Sequence, residues 1–465
     1  MDPSLTLRRD DGGEGCQAGS AGVYSCDLNR RDISARVAAL LASLALAFGL
    51  GCSLPAKRHA KPNVVFILID ALRADRLPVY GNRKNTAPFL TEKAAKSAVF
   101  DQAFAVSSWT PSSMASIFTS LYPNQHQVLT GFRATHKALK NGEDVKMNRL
   151  PSKAEVIPEV MGMLGYRTFG VADNPNIGAA MGFSRGFSRF SPHSRHGARA
   201  LNAQVRRWEA ELRSGEPYFL YVHYMECHKE YERQAEYFDP QTPSEEHELA
   251  AYDSNIRFLD DRIKELWTTL GWDENTLVIV TADHGEEFGD HGGTGHGNQI
   301  YQELLRVPLI AYHPARFKAQ RVATPVSTID LLPTFREVGG GRAGKQDRGV
   351  SLLATVAGRA PQHRVFFPMR WWEHADEPFT RKAVLSLPWK LILTQPKRRV
   401  ELYDLSSDPK EQTNVAESHG SVVQDLEGLL QGFEKEATVF EREFGGEVRV
   451  SPQQAEQLKA LGYVQ

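Results

Sequence analysis

Hydrophobic runs punctuate this chain, and two of them end on acids. Val64-Val65-Phe66-Ile67-Leu68-Ile69 runs into Asp70, and Leu277-Val278-Ile279-Val280-Thr281-Ala282 runs into Asp283-His284. Unbroken apolar runs of this length suit strands buried on both faces, and the first polar group at the carboxyl end stands where open α/β sheets place ligands and metals. Strands and helical patterns alternate around these two. Helical spacing covers residues 87–96, 115–120 and 155–164, the last stopped by Gly165, and a strand returns over 166–172. A charged amphipathic helix over 198–214 precedes a buried strand at 218–224, and a long helix over 246–270 precedes the strand at 276–281. A further strand at 307–312 and a helix over 329–338 lead to Gly339-Gly340-Gly341. This βαβ order predicts an α/β fold with a mainly parallel sheet flanked by helices.

The pattern changes after the glycine run. Short β runs at 383–387, 389–394 and 400–405 are interrupted by Pro388 and the basic turn Lys397-Arg398-Arg399, and a helix follows at 422–436. They predict a smaller C-terminal α+β subdomain with an antiparallel sheet. The expected organisation is a leader and linker over residues 1–60, a catalytic domain over 61–345 and the C-terminal subdomain with its tail over 346–465. At 465 residues the chain exceeds what one core usually supports, which agrees with a large and a small unit. The duplicated Gly-Phe-Ser-Arg at 182–189 is too short to be a structural repeat.

Composition narrows the function. With 55 Lys plus Arg against 56 Asp plus Glu, the net charge of -1 offers no electrostatic footprint for nucleic acid. Of the four cysteines, Cys16, Cys26 and Cys52 precede the first strand, so no disulfide framework holds the folded part, and Cys227 is expected to be an unpaired core or near-site thiol. An apolar stretch at 37–50 follows Arg30, Arg31 and Arg36 and is followed by Gly51-Cys52 and a polar segment. It is short for a bilayer span and has the layout of a secretory signal, with lipid attachment at Cys52 as the expected tether. The alternative is an uncleaved membrane-anchoring leader. Either places the catalytic part outside the cytoplasm, in the periplasm or cell envelope.

The chemistry begins with Asp70, Asp283 and His284. If their strands are neighbours, they offer a divalent cation hard and borderline ligands with room for a substrate. Singly they read otherwise: Asp70 as a helix cap, Asp283-His284 as a turn. Between them lies Ser108-Trp109-Thr110-Pro111-Ser112-Ser113-Met114-Ala115-Ser116, a hydroxyl-rich segment able to supply a nucleophile.

These residues carry a resemblance. The run 63–81, containing Asp70-Ala71-Leu72-Arg73-Ala74-Asp75 and ending in Tyr80-Gly81, resembles the opening of the sulfatase family within the alkaline phosphatase superfamily, as does 108–123 with Thr119-Ser120-Leu121-Tyr122-Pro123. Thr281-Ala282-Asp283-His284-Gly285-Glu286-Glu287-Phe288-Gly289-Asp290-His291-Gly292, leading to Gly295-His296-Gly297, is the most specific match. Glu401-Leu402-Tyr403-Asp404-Leu405, Asp408-Pro409, Asn414 and the closing Leu461-Gly462-Tyr463 resemble the family's C-terminal signature.

The resemblance implies an alkaline-phosphatase-like fold, with Asp70, Asp283 and His284 on the metal and Thr110 at the nucleophile position, also as a metal ligand. It implies His228 as the group that protonates the leaving oxygen and His296 as a contact to the transferred anion. His223, His291 and His126 are expected to be supporting or structural. Three departures from the family pattern refine the chemistry. Ala71 stands where many sulfatases have a second aspartate, which removes an oxygen ligand and favours manganese or zinc, with calcium the alternative. Thr110 is a secondary alcohol whose oxidation gives a ketone, so it cannot become formylglycine; Pro111 follows it directly, and Met114 replaces the expected arginine. Ser112 or Ser113 is the alternative nucleophile. Glu226-Cys227 precedes His228 where relatives often carry Asp-Pro. The expected function is metal-dependent hydrolysis of a sulfate or phosphate ester of a small molecule, glycan or lipid through a covalent Thr110 intermediate. The alternatives are a phosphoethanolamine- or phosphoglycerol-type transferase acting on envelope glycans or lipids, and a non-catalytic binding protein with the sulfatase fold.

Overall fold

The computed structural model describes residues 61–129, 148–193, 196–273, 275–372 and 378–437. The leader with Cys52, and the closing Leu461-Gly462-Tyr463, lie outside the described residues. Among the described residues no helix is long and apolar enough to cross a membrane.

Eight strands form the central sheet: β1 (Asn63–Ile69), β2 (Ala98–Phe100), β3 (Arg167–Ala172), β4 (Arg189–Pro192), β5 (Tyr218–Tyr224), β6 (Thr276–Thr281), β7 (Leu309–Tyr312) and β8 (Gln320–Val322). Their spatial order is β8-β2-β7-β6-β1-β5-β3-β4. The pairs of β1 with β5 and β6, and of β3 with β4 and β5, are parallel, and β7 alone runs against its two neighbours. The apolar runs explain the centre: β5 and β6 are buried at every position, and β1 at all but its first. Parallel strands covered on both faces need that continuity. Leu68 of β1 faces Thr281 of β6, and this register carries on to set Asp70 beside Asp283.

Helices cover the sheet: α1 (Pro88–Ala94), α2 (Thr110–Thr119), α3 (Ile157–Met163), α4 (Gly197–Arg207), α5 (His247–Leu270), the single-turn α6 (Gln302–Leu305) and α7 (Leu331–Val338). The long α5 stops at Gly271, which takes a left-handed φ of 63° open to glycine. It also caps α1, whose Phe89 and Leu90 amides donate to the Asp260 carboxylate at 2.7 and 2.8 Å.

Two elements differ from expectation. The hydroxyl-rich segment is itself the start of α2, five residues earlier than the periodicity suggests, because Pro111 suits a helix's first turn and the serines find partners. Ser112 donates to the Val128 carbonyl, Ser113 to the Asp283 carbonyl and Thr119 to the Ala115 carbonyl, so every residue of α2 can be buried. The expected strand at 307–312 breaks at Pro308, leaving a two-residue strand, Arg306–Val307, in a separate small sheet.

Beyond α7 the chain builds an antiparallel sheet of β9 (Met369–Trp372), β10 (Phe379–Ser386), β11 (Trp389–Gln395) and β12 (Arg399–Asp404), covered by α8 (Gly420–Glu436). Leu426 and Leu430 of α8 pack with Met369, Val384, Leu391 and Leu402. Phe433 stacks flat on Phe367, with ring centroids 4.0 Å apart, and meets Tyr122 edge-on.

Two polar ties hold this subdomain to the large sheet. Asp330, fully buried, takes a bidentate pair from Arg364 at 2.5 and 2.7 Å and also accepts from the Ser327 and Val350 amides. The second tie is His291. Its Nδ1 meets Glu303 Oε1 at 2.6 Å, its Nε2 meets the Glu411 carbonyl at 3.1 Å, and its ring stacks on Tyr301. Glu287, His291 and Glu303 are grouped closely enough to suggest a cation site, but both ring nitrogens are already engaged as donors. Partial burial lowers the His291 pKa, and the Glu303 hydrogen bond and charge outweigh that and raise it to about 9.

Replacing Asp330 with alanine leaves Arg364 buried without its partner, and the expected loss is about 3–5 kcal/mol, read from the midpoint of urea unfolding. The His291 tie is pH-dependent. Its folded pKa lies above the ordinary 6.5, so its contribution is complete below that value and disappears as pH rises through about 9. The Tm difference between the native protein and His291→Gln should therefore be widest at acidic pH and close above pH 9; a constant difference would show that the imidazolium charge is not involved.

Candidate active site

The carboxyl ends of β3, β5, β1 and β6 converge on one buried cluster. Asp70 ends β1, and the next residue, Ala71, takes a left-handed φ of 57° that turns the chain sharply away. Asp70 Oδ2 accepts from Asn174 Nδ2 at 2.7 Å and from His223 Nε2 at 3.1 Å, while His223 Nδ1 accepts from the Tyr221 hydroxyl at 2.7 Å. Asp283 Oδ1 accepts from the Ala71 and His284 amides at 3.2 and 3.0 Å. Each carboxylate thus has one oxygen held by protein donors. The other, Asp70 Oδ1 and Asp283 Oδ2, is buried with no hydrogen-bond partner.

His284 completes the group. Its Nδ1 is 2.8 Å from the Gly285 carbonyl, which can only accept, so Nδ1 carries the proton and Nε2 presents its lone pair. That Nε2 lies 3.3 Å from Asp283 Oδ2, 3.9 Å from Asp70 Oδ1 and 3.1 Å from Thr110 Oγ1. Asp70, Asp283 and His284 offer ligand atoms all within 4.8 Å of one another. Two orphaned carboxylate oxygens and one imidazole lone pair fit a single divalent cation.

Electrostatics agree with that fit. Burial pushes the Asp70 carboxyl up, and the His223 hydrogen bond with the nearby histidine charges overcomes it, so Asp70 is held far below the usual carboxylate range. Asp283 moves the other way, to about 6, through burial and the neighbouring Asp70 charge. Two like charges forced together in a low-dielectric pocket act on each other in this way until a cation is shared between them.

Thr110 opens α2, so its hydroxyl sits at the positive end of a ten-residue helix. Ser112 and Ser113, the alternative nucleophiles, are both committed to backbone carbonyls. His296 packs its ring on His284 and His228, with centroids 4.4 and 4.7 Å apart, and its Nδ1 lies 2.9 Å from Glu286 Oε1. Glu286 is fully buried. Burial raises its pKa to about 7, against the pull of the His228 and His284 charges and the Tyr231 hydroxyl. His228 follows β5 on a short turn and lines an open cavity of about 440 Å³. The expected site residues Asp70, Thr110, His228, Asp283, His284 and His296 therefore share one region. His126 instead bonds Ser116 beneath α2, and Cys227 is buried and free, its thiol pushed well up by burial.

Several contributors escaped the sequence reading. Asn174 lies two residues beyond β3 and reaches across β5 to Asp70. Arg73 donates to Asp75, Asp290 and the Glu286 carbonyl, pinning the turn after Asp70 to the loop after His284. Arg370 comes from β9, donates Nε to the Gly297 carbonyl at 2.7 Å and lies 5.1 Å from the Trp109 ring. The sequence hints at two of them without assigning a role: Arg73 through the acids flanking it in the matched motifs, and Arg370 through the adjoining Trp371-Trp372 pair, which suits either a cleft wall or domain packing.

Comparison with known proteins agrees with the geometry. The sulfatase family profile matches residues 62–341, and the profile described as N-sulphoglucosamine sulphohydrolase, C-terminal, matches 289–436. The "uncharacterized sulfatase YidJ" of Escherichia coli is 25% identical over 431 residues, covering 76% of this chain and 83% of its own. Among solved structures, a 2-O GAG sulfatase superposes with a TM-score of 0.67 at 18% identity, covering 83% of this chain and 96% of that one. The phosphonate monoester hydrolase of Agrobacterium radiobacter superposes at 0.65 and 17% identity, covering 81% and 96%. With its alkaline-phosphatase-like α/β core, its C-terminal antiparallel sheet and more than half its length matched by the family profile, the chain belongs to the sulfatase family of ester hydrolases.

Proposed function

We propose that this sulfatase-family hydrolase cleaves a sulfate or phosphorus ester by transferring the acidic group first to Thr110 and then to water. The observation that carries the reading is the Thr110 hydroxyl 3.1 Å from His284 Nε2, beside the orphaned oxygens of Asp70 and Asp283. Asp70, Asp283 and His284 would hold one divalent cation, with Thr110 as a further ligand, and such an ion supplies positive charge that lowers the hydroxyl pKa and screens the anionic ester. Manganese or zinc fits a set of two carboxylates and an imidazole better than calcium, which prefers more oxygens.

The chain's own groups do the rest. The α2 N-terminus and His296 face the non-bridging oxygens of the ester, and the Glu286 contact fixes which His296 nitrogen is turned away from them. His228, at the rim of the open cavity, delivers a proton to the departing alcohol. Water then attacks the acid centre and gives a proton to the now-neutral His228, the bond to Thr110 Oγ1 breaks, and Thr110 regains from solvent the proton it released on attacking.

A threonine ester favours phosphorus over sulfur. The aldehyde hydrate of formylglycine can expel sulfate by breaking its own C–O bond, whereas Thr110 has no geminal hydroxyl and must be released by attack at the acid centre. The substrate alcohol is proposed to be a glycan or another small polyol, in keeping with the glycosaminoglycan named for one structural neighbour. The apolar stretch before Cys52 supports an exported, envelope-tethered enzyme.

Thr110→Val should lose at least ~10³-fold in turnover with the fold intact. Intact-mass analysis after brief mixing with an activated phosphate or sulfate ester should show the added group on the native protein and none on the variant. Asp283→Asn retains an acceptor for the Ala71 and His284 amides while removing a charge; it should abolish turnover and metal retention by elemental analysis, and an active variant with metal still bound would overturn the ligand set. His228→Gln should slow alkyl esters by ~10²-fold yet spare 4-nitrophenyl esters, whose leaving group needs no proton.

A further inference from the structure

We infer, on the reading of Asp70, Asp283 and His284 as one cation site, that Glu411 of the C-terminal subdomain is a positioning residue for His284 and acts through the single-turn α6. Glu411 follows β12 on a turn and takes a left-handed φ of 55°, an uncommon backbone for a residue with a long side chain. Its side chain and that of Lys390, on β11, are both fully buried, and they form an ion pair at 2.7 Å. The other carboxylate oxygen, Oε2, accepts at 2.6 Å from the amide of Gln302, the residue that opens α6. The Glu411 carbonyl accepts from His291 Nε2 at 3.1 Å. One residue thus grips both α6 and the loop that carries His284.

A buried ion pair is a poor source of stability, because both charges must be stripped of water. Apolar side chains of similar size would fill the same space. They would not supply an acceptor for the Gln302 amide, and that difference gives the carboxylate its role.

Four contacts in series lead from this pair to the metal site. Lys390 fixes Glu411, Glu411 fixes the start of α6, the Leu304 carbonyl of α6 accepts from the Gly285 amide at 2.8 Å, and the Gly285 carbonyl takes His284 Nδ1 at 2.8 Å. Gly285 is therefore held on both sides. Its carbonyl sets which His284 nitrogen carries the proton, and with it the direction of the Nε2 lone pair. The contact has no slack, since any side chain at Gly285 would run into the Glu303 carbonyl of α6. A displacement of α6 passes straight to the ligand.

The test compares two double variants of the full-length protein. Lys390→Met with Glu411→Leu removes the charges and the acceptor together, whereas Lys390→Met with Glu411→Gln removes the charges and keeps the acceptor. The first should weaken manganese binding about 10-fold in a chelator competition. In the metal-free protein it should also speed deuterium exchange of peptides containing the Gly285 amide at least ~10-fold, and it should lower kcat with little change in KM. The second should match the native protein in all three, whatever its Tm. If the first fails to fold, Gln302→Pro takes its place and should give the same changes. Proline suits the first position of a helix, the extended backbone of Tyr301 accommodates it, and it deletes the amide hydrogen itself. Native manganese affinity and native Gly285 exchange in the first variant would overturn the inference. Equal losses in both doubles would overturn it too, because the ion pair and not the acceptor would then be what matters. A native protein that retains neither manganese nor zinc would overturn the ligand set instead, and the exchange rates would still decide whether Glu411 holds Gly285.

Discussion

Two carboxylates forced together at the ends of adjacent parallel strands are the constraint around which this protein is organised. Strands in a sheet lie roughly 4.8 Å apart, and the register of β1 on β6 leaves Asp70 and Asp283 no way to separate. Water cannot screen them, since both are fully buried. The fold responds with donors: an amide side chain and an imidazole on Asp70, two backbone amides on Asp283. It satisfies one oxygen of each and leaves the other pair facing the His284 lone pair. A proton on Asp283 or a cation shared between the acids relieves that repulsion, and the parallel register, the turn at Ala71 and the tautomer of His284 together leave two carboxylate oxygens and one lone pair grouped where a single ion could be held.

Much of the fold can be read from the sequence where burial is two-sided. β5 and β6 begin and end where the apolar runs at 218–224 and 276–281 do, because a strand covered on both faces has no polar alternation to blur its limits. The amphipathic C-terminal helix and the hairpin at Pro388 were equally visible. The start of α2 was not. A stretch with a hydroxyl at nearly every position looks like a loop until its partners are known, and those partners, Val128 and Asp283, are set by tertiary packing. The reversal of β7 was also hidden. A parallel return needs a crossover helix, and here the connection after β6 is a long glycine-rich loop carrying a single helical turn.

The site divides along the same line. Asp70 and Asp283 stand out because each is the first charged residue after an apolar strand, with His284 directly behind Asp283, and β1 and β6 prove to be neighbours. Thr110, His228 and His296 have no such local mark, and only the resemblance of whole motifs singled them out. His223 is expected only as a supporting residue, without a partner, and Asn174 carries no mark at all. Their shared role is to hold one oxygen of Asp70, and it exists only because β5 lies between β1 and β3 in the sheet. An asparagine after a strand is ordinarily a turn former, and nothing in its neighbours distinguishes this one.

The small subdomain does more than cover a sheet edge. Arg370 lies between the rings of Trp109 and Trp372, at 5.1 and 4.8 Å, while its Nε holds the Gly297 carbonyl. Trp109 immediately precedes Thr110, and Gly297 immediately follows His296, so one guanidinium braces both sides of the proposed reaction centre. The contact is tight: a side chain on Gly297 would come within 2.8 Å of the Trp109 ring. Cation–π contacts of this kind contribute roughly 0.5–2 kcal/mol each, too little to hold a subdomain in place but enough to fix the orientation of an indole already buried. The larger ties at Asp330 and His291 do the holding, which leaves Arg370 free to set geometry. An active site assembled at strand ends thus takes its precision from a neighbour that supplies none of its expected ligands.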